Sequence, residues 1–262
     1  MALLEAENLR RCFGGLVALD QVSFQVLPGQ IKAVIGPNGA GKTTLFNLIS
    51  GLLKPDAGRL WFQGRPVHGL KPYQIARRGV ARTFQNPSLF FRLSVAENVM
   101  AGRHGRTRWE FLGCGLRLPG QAHEERQIQQ AAAAHLESLG LLGLAEAPAG
   151  ALAFGQRRMV ELARALAAEP VLLLLDEPAS GLNTKEKEDL GNLIRRIRDR
   201  GITILLVEHD MTLVMDLCDE ILVLHNGVPI AEGSPAAIQN DPKVIRVYLG
   251  GEFQHAAPGQ KP

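Results

Sequence analysis

The stretch Gly36-Pro37-Asn38-Gly39-Ala40-Gly41-Lys42-Thr43-Thr44 directly follows the apolar run Ile31–Ile35 and precedes a helical pattern. Its glycines let the backbone curl so that successive N–H groups point inward at an anion. The helix that begins near Lys42 adds its unpaired N–H groups and the positive end of its dipole. A loop of this spacing between a strand and a helix predicts a binding site for the phosphates of a nucleoside triphosphate.

Individual residues of this phosphate loop (36–44) have separate predicted roles. Lys42 is expected to reach the β- and γ-phosphate oxygens, and Thr43 is expected to ligate Mg²⁺. The other predicted nucleotide contacts are Gly36, Asn38, Gly39, Gly41 and Thr44. A glycine-rich turn that matches by chance is the alternative, but the strand before, the helix after and the full spacing together favour the nucleotide site.

Length and composition describe an ordinary globular chain. Its 262 residues, 46% of them apolar, suffice for one α/β core with a smaller appended subdomain. Lys and Arg number 29 against 26 Asp and Glu, so the charge balance does not favour nucleic acid, and we expect no direct contact with it.

The three cysteines do not have the spacing of zinc ligands, which favours reduced thiols with packing roles in a cytosol; they are Cys12, Cys114 and Cys218. The N-terminus lacks a basic region before an apolar core, and no apolar run is long enough for a bilayer, so the sequence predicts a chain that is neither secreted nor membrane-spanning by itself.

Short apolar runs alternate with helical patterns along the chain, which is typical of a mostly parallel sheet with right-handed crossovers. The runs that predict buried strands are residues 31–35, 80–84, 171–175, 202–207 and 221–224. Residues 21–26 and 59–63 resemble pieces of antiparallel hairpins added at one edge. The predicted fold class is therefore α/β: a P-loop, RecA-like core of parallel sheet with an antiparallel β-subdomain.

A helical subdomain is predicted between about Ser94 and Ala168. Helices are expected at 127–139 and 156–168, with turns between them at 140–150. The stretch 103–120, rich in glycine and basic residues, predicts an irregular surface insertion. The tail from Gln254 is rich in Gly, Pro and polar residues and is expected to fray.

Two of the predicted strands end in polar residues. The run 171–175 is followed by Asp176 and Glu177, and the run 202–207 is followed by Glu208-His209-Asp210. Asp176 suits a contact with Mg²⁺, and Glu177 can polarise the water that attacks a γ-phosphate. The acidic pair is also compatible with a helix start, and a lone histidine is usually structural. Parallel strands, however, bring the acidic pair and the histidine to the same sheet edge as the phosphate loop, and this placement favours a functional role for them.

Together with the phosphate loop, further motifs make the chain resemble the nucleotide-binding subunits of ABC transporters over nearly its whole length. The Q-loop is matched by Gln85 in Arg82-Thr83-Phe84-Gln85, and the signature motif is matched by Leu152-Ala153-Phe154-Gly155-Gln156. The Walker B aspartate and the catalytic glutamate are matched by Asp176 and Glu177, and the D-loop is matched by Ser180-Gly181-Leu182-Asn183. The switch histidine is matched by His209, and the aromatic ring that stacks on adenine is matched by Phe13. The resemblance implies one ATP-binding domain at 1–252, with the helical subdomain at about 87–168 and a flexible tail at 253–262.

What the resemblance implies about mechanism is an ATPase built from two cassettes. The implied catalytic residues are Glu177, His209, Gln85 and Lys42. The implied Mg²⁺ ligands are Thr43, Gln85 and Asp176. The implied contacts to the ATP of the other subunit are Ala153, Phe154, Gly155 and Gln156. The implied partners are a second ATP-binding subunit, identical or different, transmembrane permease subunits and a separate substrate-binding protein. The implied location is the cytoplasmic face of the membrane.

Two residues depart from the family pattern. The signature motif usually has serine where this chain has Ala153, and the lost hydrogen bond to a charged phosphate is worth about 1.5–3 kcal/mol. We therefore expect a weakened contact, with the glycine amides and the helix dipole still in place. Asn183 replaces the usual aspartate of the D-loop, as in the branched-chain amino acid branch.

Less specific stretches favour that branch. Residues 13–19, the insertion around Trp109 and the ending 233–250 resemble the ATP-binding subunits of importers for branched-chain and related hydrophobic amino acids. The ending is also compatible with a helix that only packs on the core. Three alternatives stay open: a lipopolysaccharide-export ATPase, a soluble non-transport ABC ATPase, and an interaction subunit with little turnover.

Overall fold

The structure is a computed structural model that describes residues 1–84, 88–103 and 119–253. It divides into two compact units, one formed by Met1–Leu70 with Glu188–Pro262 and the other by Lys71–Lys187. Gln85, the core of the predicted insertion (104–118) and the predicted tail from Gln254 lie outside the described residues. The domain limits inferred from sequence, 1–252 with a helical subdomain at 87–168, stay predictions.

Strands and helices alternate through most of the chain. The strands are β1 (Leu4–Phe13), β2 (Leu16–Val26), β3 (Ile31–Ile35), β4 (Ala57–Phe62), β5 (Arg65–Pro66), β6 (Val80–Arg82), β7 (Leu172–Asp176), β8 (Thr203–Val207), β9 (Glu220–His225) and β10 (Val228–Gly233). The helices are α1 (Lys42–Ile49), α2 (Pro72–Arg77), α3 (Val95–Arg103), α4 (Pro119–Ser138), α5 (Phe154–Ala167), α6 (Thr184–Asp199), α7 (Met211–Leu217), α8 (Pro235–Gln239) and α9 (Pro242–Phe253). Among the described residues, no helix combines the length and apolar character needed to cross a bilayer.

The first unit contains the predicted β-subdomain, an antiparallel sheet in the order β2-β1-β4-β5. Strand β1 alternates buried residues such as Leu4 and Ala6 with exposed residues such as Glu5 and Glu7, so one face packs and the other meets water. The sequence did not reveal β1 as a strand, because its second half, with Arg10 and Arg11, breaks the alternation where the pairing to β2 shifts register.

The first unit also contains the strand order β10-β9-β3-β8. Strand β3 pairs in parallel with β8 and with β9, and β10 pairs antiparallel with β9. All five residues of β3 and of β8 are buried, which explains their nearly continuous apolar sequences. The phosphate loop therefore begins at the end of β3, a buried strand that has a paired strand on each side.

Lys32 is a charged residue inside β3, and it is fully buried. Its ammonium donates to the Gln25 carbonyl oxygen at 2.7 Å and to Glu220 at 2.8 Å, and it also pairs with Glu232. Burial raises the pKa of Glu220, but the bonds from Lys32 and Gln30 outweigh this effect and hold the pKa below its usual value. The ammonium thus connects β3 to β9 and β10 through charge-assisted hydrogen bonds.

Replacing Lys32 by Met should lower the free energy of unfolding by about 2 kcal/mol, because two carboxylates lose their cation. The cost stays below that of a fully buried pair since the side chains of Glu220 and Glu232 are about one third exposed. Thermal unfolding followed by circular dichroism should show a midpoint lower by about 4–8 °C. The difference should be complete above about pH 4.5 and shrink as the pH falls through the lowered pKa of Glu220. An unchanged midpoint at pH 7, equal to that of the exposed control Lys243→Met, would contradict the assignment.

The second unit joins the parallel pair β6 and β7 to three packed helices. Helices α3, α4 and α5 bury an apolar cluster that includes Val95, Val99, Leu136, Val160 and Ala163. The predicted helical segment is therefore confirmed as helical, although α4 begins at Pro119, eight residues before the predicted start. The parallel strands, the antiparallel sheet and the helices confirm the predicted α/β fold class.

Cys218 is buried, and Cys12 is partly buried. Burial, with Asp219 and Glu208 nearby, raises the pKa of the Cys218 thiol to about 12. This thiol therefore stays protonated and unreactive at neutral pH. Cys114 lies outside the described residues.

Candidate functional site

The phosphate loop joins β3 to α1 as predicted, and its path depends on glycine at two positions. Gly36 has φ +150°, and a Cβ there would overlap the carbonyl oxygen of Leu224 in β9. Gly41 has φ +100°, and a Cβ there would lie 2.6 Å from the carbonyl oxygen of Ala18 in β2. The loop backbone therefore lies too close to neighbouring strands for any side chain at these positions.

The loop presents a cation and the N-terminus of a helix to an anion. Lys42 is 6% exposed, and its ammonium donates to the loop carbonyl oxygens of Gly36 at 2.7 Å and Pro37 at 3.0 Å. Helix α1 begins after Gly41 with no side-chain cap and no acidic residue in its first turn. Its N-terminal N–H groups and the Lys42 ammonium therefore match the triphosphate that the sequence predicted.

His209 lies at the same sheet edge as the phosphate loop. In the parallel register Val34 pairs with Val207, and Gly36 and His209 each follow two residues later. His209 is exposed, and its backbone N–H donates to the 3%-exposed Glu208 carboxylate at 2.9 Å. The buried carboxylate therefore shapes the turn that places the histidine. The sequence analysis had assigned no role to Glu208.

Phe13 ends β1 in the first unit. Its ring is 44% exposed, and the Arg11 guanidinium carbon lies 4.9 Å from the ring centroid. An exposed ring supported by a cation on one side leaves area for stacking against a flat heterocycle, as the resemblance implies.

Tyr248, in the C-terminal helix α9, was missed by the sequence analysis. Burial raises the pKa of its hydroxyl to about 12, and a hydrogen bond from the Gly36 backbone opposes that rise. The hydroxyl therefore lies next to Gly36, the first residue of the phosphate loop. No motif identifies this tyrosine, because the contact joins residues 212 positions apart.

In the second unit, Asp176 is the last residue of β7 and Glu177 follows it, so the strand ends one residue later than predicted. Asp176 is 4% exposed, and its carboxylate accepts a hydrogen bond from Arg82 at 2.8 Å. Glu177 is half-buried and has φ +48°, an uncommon conformation for a residue other than glycine. The Asp176 carboxylate, like the exposed Thr43 hydroxyl of the first unit, offers the oxygen ligand that Mg²⁺ prefers. Arg82 was not singled out from the sequence.

The signature motif forms the N-terminus of α5. Ala153 is the N-cap residue and is exposed, and Phe154 is 45% exposed. The Ala153 N–H donates to the Gln156 side chain at 3.0 Å, and the Ala153 side chain makes no cap hydrogen bond to the first amides of the helix. Gly155 is half-buried. An exposed helix N-terminus without a side-chain cap can accept an external anion.

The D-loop shows why asparagine suits position 183. The Asn183 side chain accepts from the Glu186 N–H at 3.0 Å, and the Glu186 carboxylate accepts from the Asn183 N–H at 2.8 Å. This reciprocal capping box begins α6 and needs only an oxygen acceptor, which both Asn and Asp provide. Gly181, with φ +78°, lies against the Phe154 ring of the signature motif.

The predicted residues thus fall into two groups. The first unit holds the phosphate loop, Phe13 and His209, and the second holds Asp176, Glu177, the signature motif and the D-loop. Within each unit these residues lie at or near strand ends and helix starts, and their roles in binding and catalysis stay predictions. Gln85 lies outside the described residues.

Comparison with known proteins identifies the family. The model of the ABC transporter family matches residues 19–180, and the model described as "Branched-chain amino acid ATP-binding cassette transporter" matches residues 228–254. The chain is 43% identical over 249 residues to the high-affinity branched-chain amino acid transport ATP-binding proteins BraF of Pseudomonas aeruginosa and LivG of Escherichia coli K12, covering 95% of this chain and 98% of each relative. It is 37% identical to the lipopolysaccharide export ATP-binding protein LptB of Acidithiobacillus ferridurans, covering 96% of this chain and 98% of that protein.

Solved structures agree with this placement. A nucleotide-free ATP-binding cassette from an ABC transporter and the ADP conformation of such a cassette each superpose with a TM-score of 0.83. Both are 35% identical to this chain, and the match covers 95% of this chain and 99% of each of theirs. The chain belongs to the ATP-binding proteins of ABC transporters, in the group of the branched-chain amino acid (LivG/BraF) type.

Proposed function

We propose that this ATP-hydrolysing transporter subunit drives the import of branched-chain or related hydrophobic amino acids. The observation that carries the proposal is 43% identity to BraF and LivG over 95% of the chain, together with the C-terminal family match at 228–254. LptB, at 37% identity, keeps lipopolysaccharide export as a second candidate. In either case the subunit binds at the cytoplasmic face of the membrane to permease subunits, and in the import case a separate binding protein delivers the amino acid.

In the proposed hydrolysis, each residue acts on the triphosphate or on the attacking water. Lys42 and the N-terminal amides of α1 neutralise the β- and γ-phosphates, while Phe13 stacks on the adenine. Glu177 orients and polarises the water, and His209 holds the γ-phosphate and the water in line. Thr43, Asp176 and Gln85 would hold a Mg²⁺ ion, which would supply positive charge at the phosphate oxygens.

The proposed active unit is a sandwich of two cassettes, identical or different. The exposed signature motif of one subunit, residues 152–156, closes over the triphosphate held by the other. Support comes from the N-terminus of α5, where Ala153 and Phe154 are exposed and the N-cap residue makes no side-chain cap hydrogen bond. ATP binding draws the cassettes together and hydrolysis separates them, which moves the attached permease subunits.

An exposed aromatic surface is the proposed contact with the permease. Phe90 and Phe91 are 55% and 50% exposed. The fully buried Asn98 fixes the Phe90 backbone by accepting from its N–H at 2.8 Å and donating to its carbonyl oxygen at 3.1 Å. A rigid backbone that presents adjacent exposed rings suits an apolar helix of a membrane subunit.

Replacing Ala153 by Ser should strengthen the proposed contact between the signature motif and the γ-phosphate. A serine hydroxyl can cap α5, worth about 1 kcal/mol of helix stability, and can donate to the phosphate when the sandwich closes. We expect ATP-driven dimerisation to tighten by about 3–10-fold and ATPase activity to rise modestly. The measurement compares dimerisation and turnover of the wild type and the variant. Ala151→Ser, two residues earlier in an exposed position, is the control. A rise in thermal stability alone, with no change in dimerisation, would show that the serine acts only as a cap.

The import proposal is tested by purifying the tagged chain from membranes with its partners. We expect permease subunits to copurify, and ATPase activity of the reconstituted complex to rise when a binding protein loaded with leucine, isoleucine or valine is added. Stimulation by lipopolysaccharide instead of amino acids would replace the import proposal with export. Isolation of the active ATPase without membrane proteins would refute both.

A further inference from the structure

Phe13, the residue proposed to stack on adenine, ends β1 at the tip of a β-hairpin. It pairs with Leu16, the first residue of β2, across a two-residue turn. Leu16 is 68% exposed, so this neighbour does little to enclose the ring, and Phe13 itself is 44% exposed. A ring with so few walls keeps its rotameric freedom unless another group restrains it.

Arg11 supplies a restraint on the Phe13 ring. The two residues lie two positions apart in β1, and alternation along a strand places their side chains on the same face of the sheet. The Arg11 guanidinium carbon lies over the ring at 4.9 Å from its centroid, within the range of a cation–π contact. The guanidinium therefore holds the ring from one side.

Asp56, in the segment that follows α1, fixes the Arg11 side chain and the backbone next to it. One carboxylate oxygen accepts from Arg11 Nη1 at 2.8 Å, and the other accepts from the Cys12 N–H at 2.7 Å. The Asp56 N–H donates to the Arg10 carbonyl oxygen at 2.9 Å. Arg11 Nη1 also donates to the Lys54 carbonyl oxygen at 3.1 Å. This segment therefore anchors the end of β1 and the cation that covers the ring.

One nitrogen of Arg11 shows that hydrogen bonding alone does not set the place of the guanidinium. Its Nε atom is buried and has no hydrogen-bond partner among the described residues. A buried donor without an acceptor costs free energy, and such an atom calls for a physical reason. The Arg11 side chain as a whole is 24% exposed, so water lies within reach of the group. The contact with the Phe13 ring is the reason that the geometry offers.

We propose that Arg11, anchored by Asp56, is a positioning residue that fixes the Phe13 ring for the base of the nucleotide. A ring already held in place loses less conformational entropy when a base stacks on it, and this preorganisation strengthens binding. The cation acts through the ring and not on the phosphates. The inference rests on the proposed stacking of Phe13 on adenine and deepens it, because it makes the contribution of the base to affinity depend on a second side chain.

A positive charge also attracts an anionic nucleotide directly, and Arg10 separates this effect from positioning. Arg10 is the preceding residue in β1 and carries the same charge, but its side chain pairs with Asp20 at 3.6 Å on the surface. Both of these side chains are about half exposed. Direct attraction predicts similar losses when either arginine is removed, whereas positioning predicts a loss for Arg11 alone.

Calorimetric titration of the full chain with ATP, CTP and inorganic tripolyphosphate tests the proposal. Arg11→Met should weaken the binding of ATP by about 3–10-fold, because the ring loses its restraint. The loss should be smaller for CTP, since a pyrimidine offers less area for stacking. It should be below about 1.5-fold for tripolyphosphate, which has no base to stack.

Three further variants control for charge and for anchoring. Arg11→Lys keeps the charge without the flat guanidinium and should weaken ATP binding by about 2–5-fold. Asp56→Asn keeps one acceptor oxygen and should weaken it by about 2–3-fold. Arg10→Met, with the same change in net charge as Arg11→Met, should bind all three ligands as the wild type does.

A double-mutant cycle and steady-state kinetics distinguish positioning from a merely structural role. In a Phe13→Leu background, Arg11→Met should weaken ATP binding by less than about 1.5-fold further, because the ring through which it acts is gone. In hydrolysis of MgATP, Arg11→Met should raise KM by about 3–10-fold while kcat stays within about 2-fold, since the reacting phosphates keep their contacts.

The possible outcomes separate this inference from the proposed function. Equal losses for ATP and tripolyphosphate, or equal losses in Arg11→Met and Arg10→Met, would overturn the inference in favour of a charge effect or a distorted chain. Tighter ATP binding by Arg11→Met would overturn it as well, because the guanidinium would then compete with the base for the ring. An undiminished loss in the Phe13→Leu background would show that Arg11 acts without the ring.

Each of those results leaves the ATPase assignment intact. If Phe13→Leu binds ATP as tightly as the wild type does, the proposed stacking is wrong and the inference falls with it. A wild-type chain that binds neither ATP nor tripolyphosphate would instead remove the proposed function.

Discussion

Replacing Glu177 by Gln is expected to leave ATP affinity near that of the wild type while kcat falls by roughly 10²–10³-fold. Glutamine keeps the size and hydrogen-bonding reach of the side chain but cannot accept a proton from the attacking water. The phosphate loop and Lys42, which bind the nucleotide, are unchanged. The measurement is steady-state release of phosphate together with equilibrium binding of ATP. The variant should also accumulate an ATP-bound dimer that size-exclusion chromatography detects.

The matched control for this prediction is Glu188→Gln on the exposed surface of α6. It should hydrolyse ATP at the rate of the wild type and show no stable dimer. If the Glu177 variant hydrolyses ATP normally, another group is the base. If it is inactive but stays monomeric with ATP, in the presence and in the absence of permease subunits, the sandwich proposal is wrong.

Replacing Lys42 by Met is expected to weaken ATP binding by about 10–150-fold, the equivalent of about 1.5–3 kcal/mol for hydrogen bonds to a charged group. Methionine retains the apolar stem and loses the ammonium, which in this structure lies over the carbonyl oxygens of Gly36 and Pro37. Isothermal titration calorimetry at fixed ionic strength measures the effect. The exposed Lys54→Met variant, with the same change in net charge, should bind ATP as the wild type does.

A distortion of the loop could also weaken binding, so the number of phosphates serves as an internal control. The loss of affinity should be largest for ATP, smaller for ADP and near zero for AMP, because Lys42 is assigned to the β- and γ-phosphates. An equal loss for all three nucleotides would mean that the substitution disrupts the loop rather than removing a phosphate contact.

The sequence predicted best where one local rule determined the structure. The phosphate loop and the start of α1 near Lys42 follow from glycine spacing and helix periodicity, and the structure confirms them. Helix α5 was predicted from residue 156 and begins two residues earlier, at Phe154. The buried strands β3, β7 and β8 follow from unbroken apolar runs. The catalytic roles assigned to Glu177 and His209 stay predictions, but both residues follow their strands as expected.

What the sequence did not reveal depends on contacts between distant segments. The pairing of Arg82 with Asp176 joins residues from two strands, and the contact of Tyr248 with Gly36 joins the last helix to the phosphate loop. Strand β1 was missed because its polar face and its register shifts hide the alternation. Arg158 and Glu161 have ordinary helical spacing in α5, and only the structure shows that both side chains bind the backbone of Phe84.

The close approach of β9 to Gly36 has a consequence for how this gene can change. Every single-base missense change in a glycine codon introduces a residue with a Cβ, and here that atom would overlap the Leu224 carbonyl oxygen. Synonymous substitutions at this codon are neutral for the protein, whereas each missense allele must displace a strand of the buried sheet. We therefore expect purifying selection to remove missense changes at codon 36.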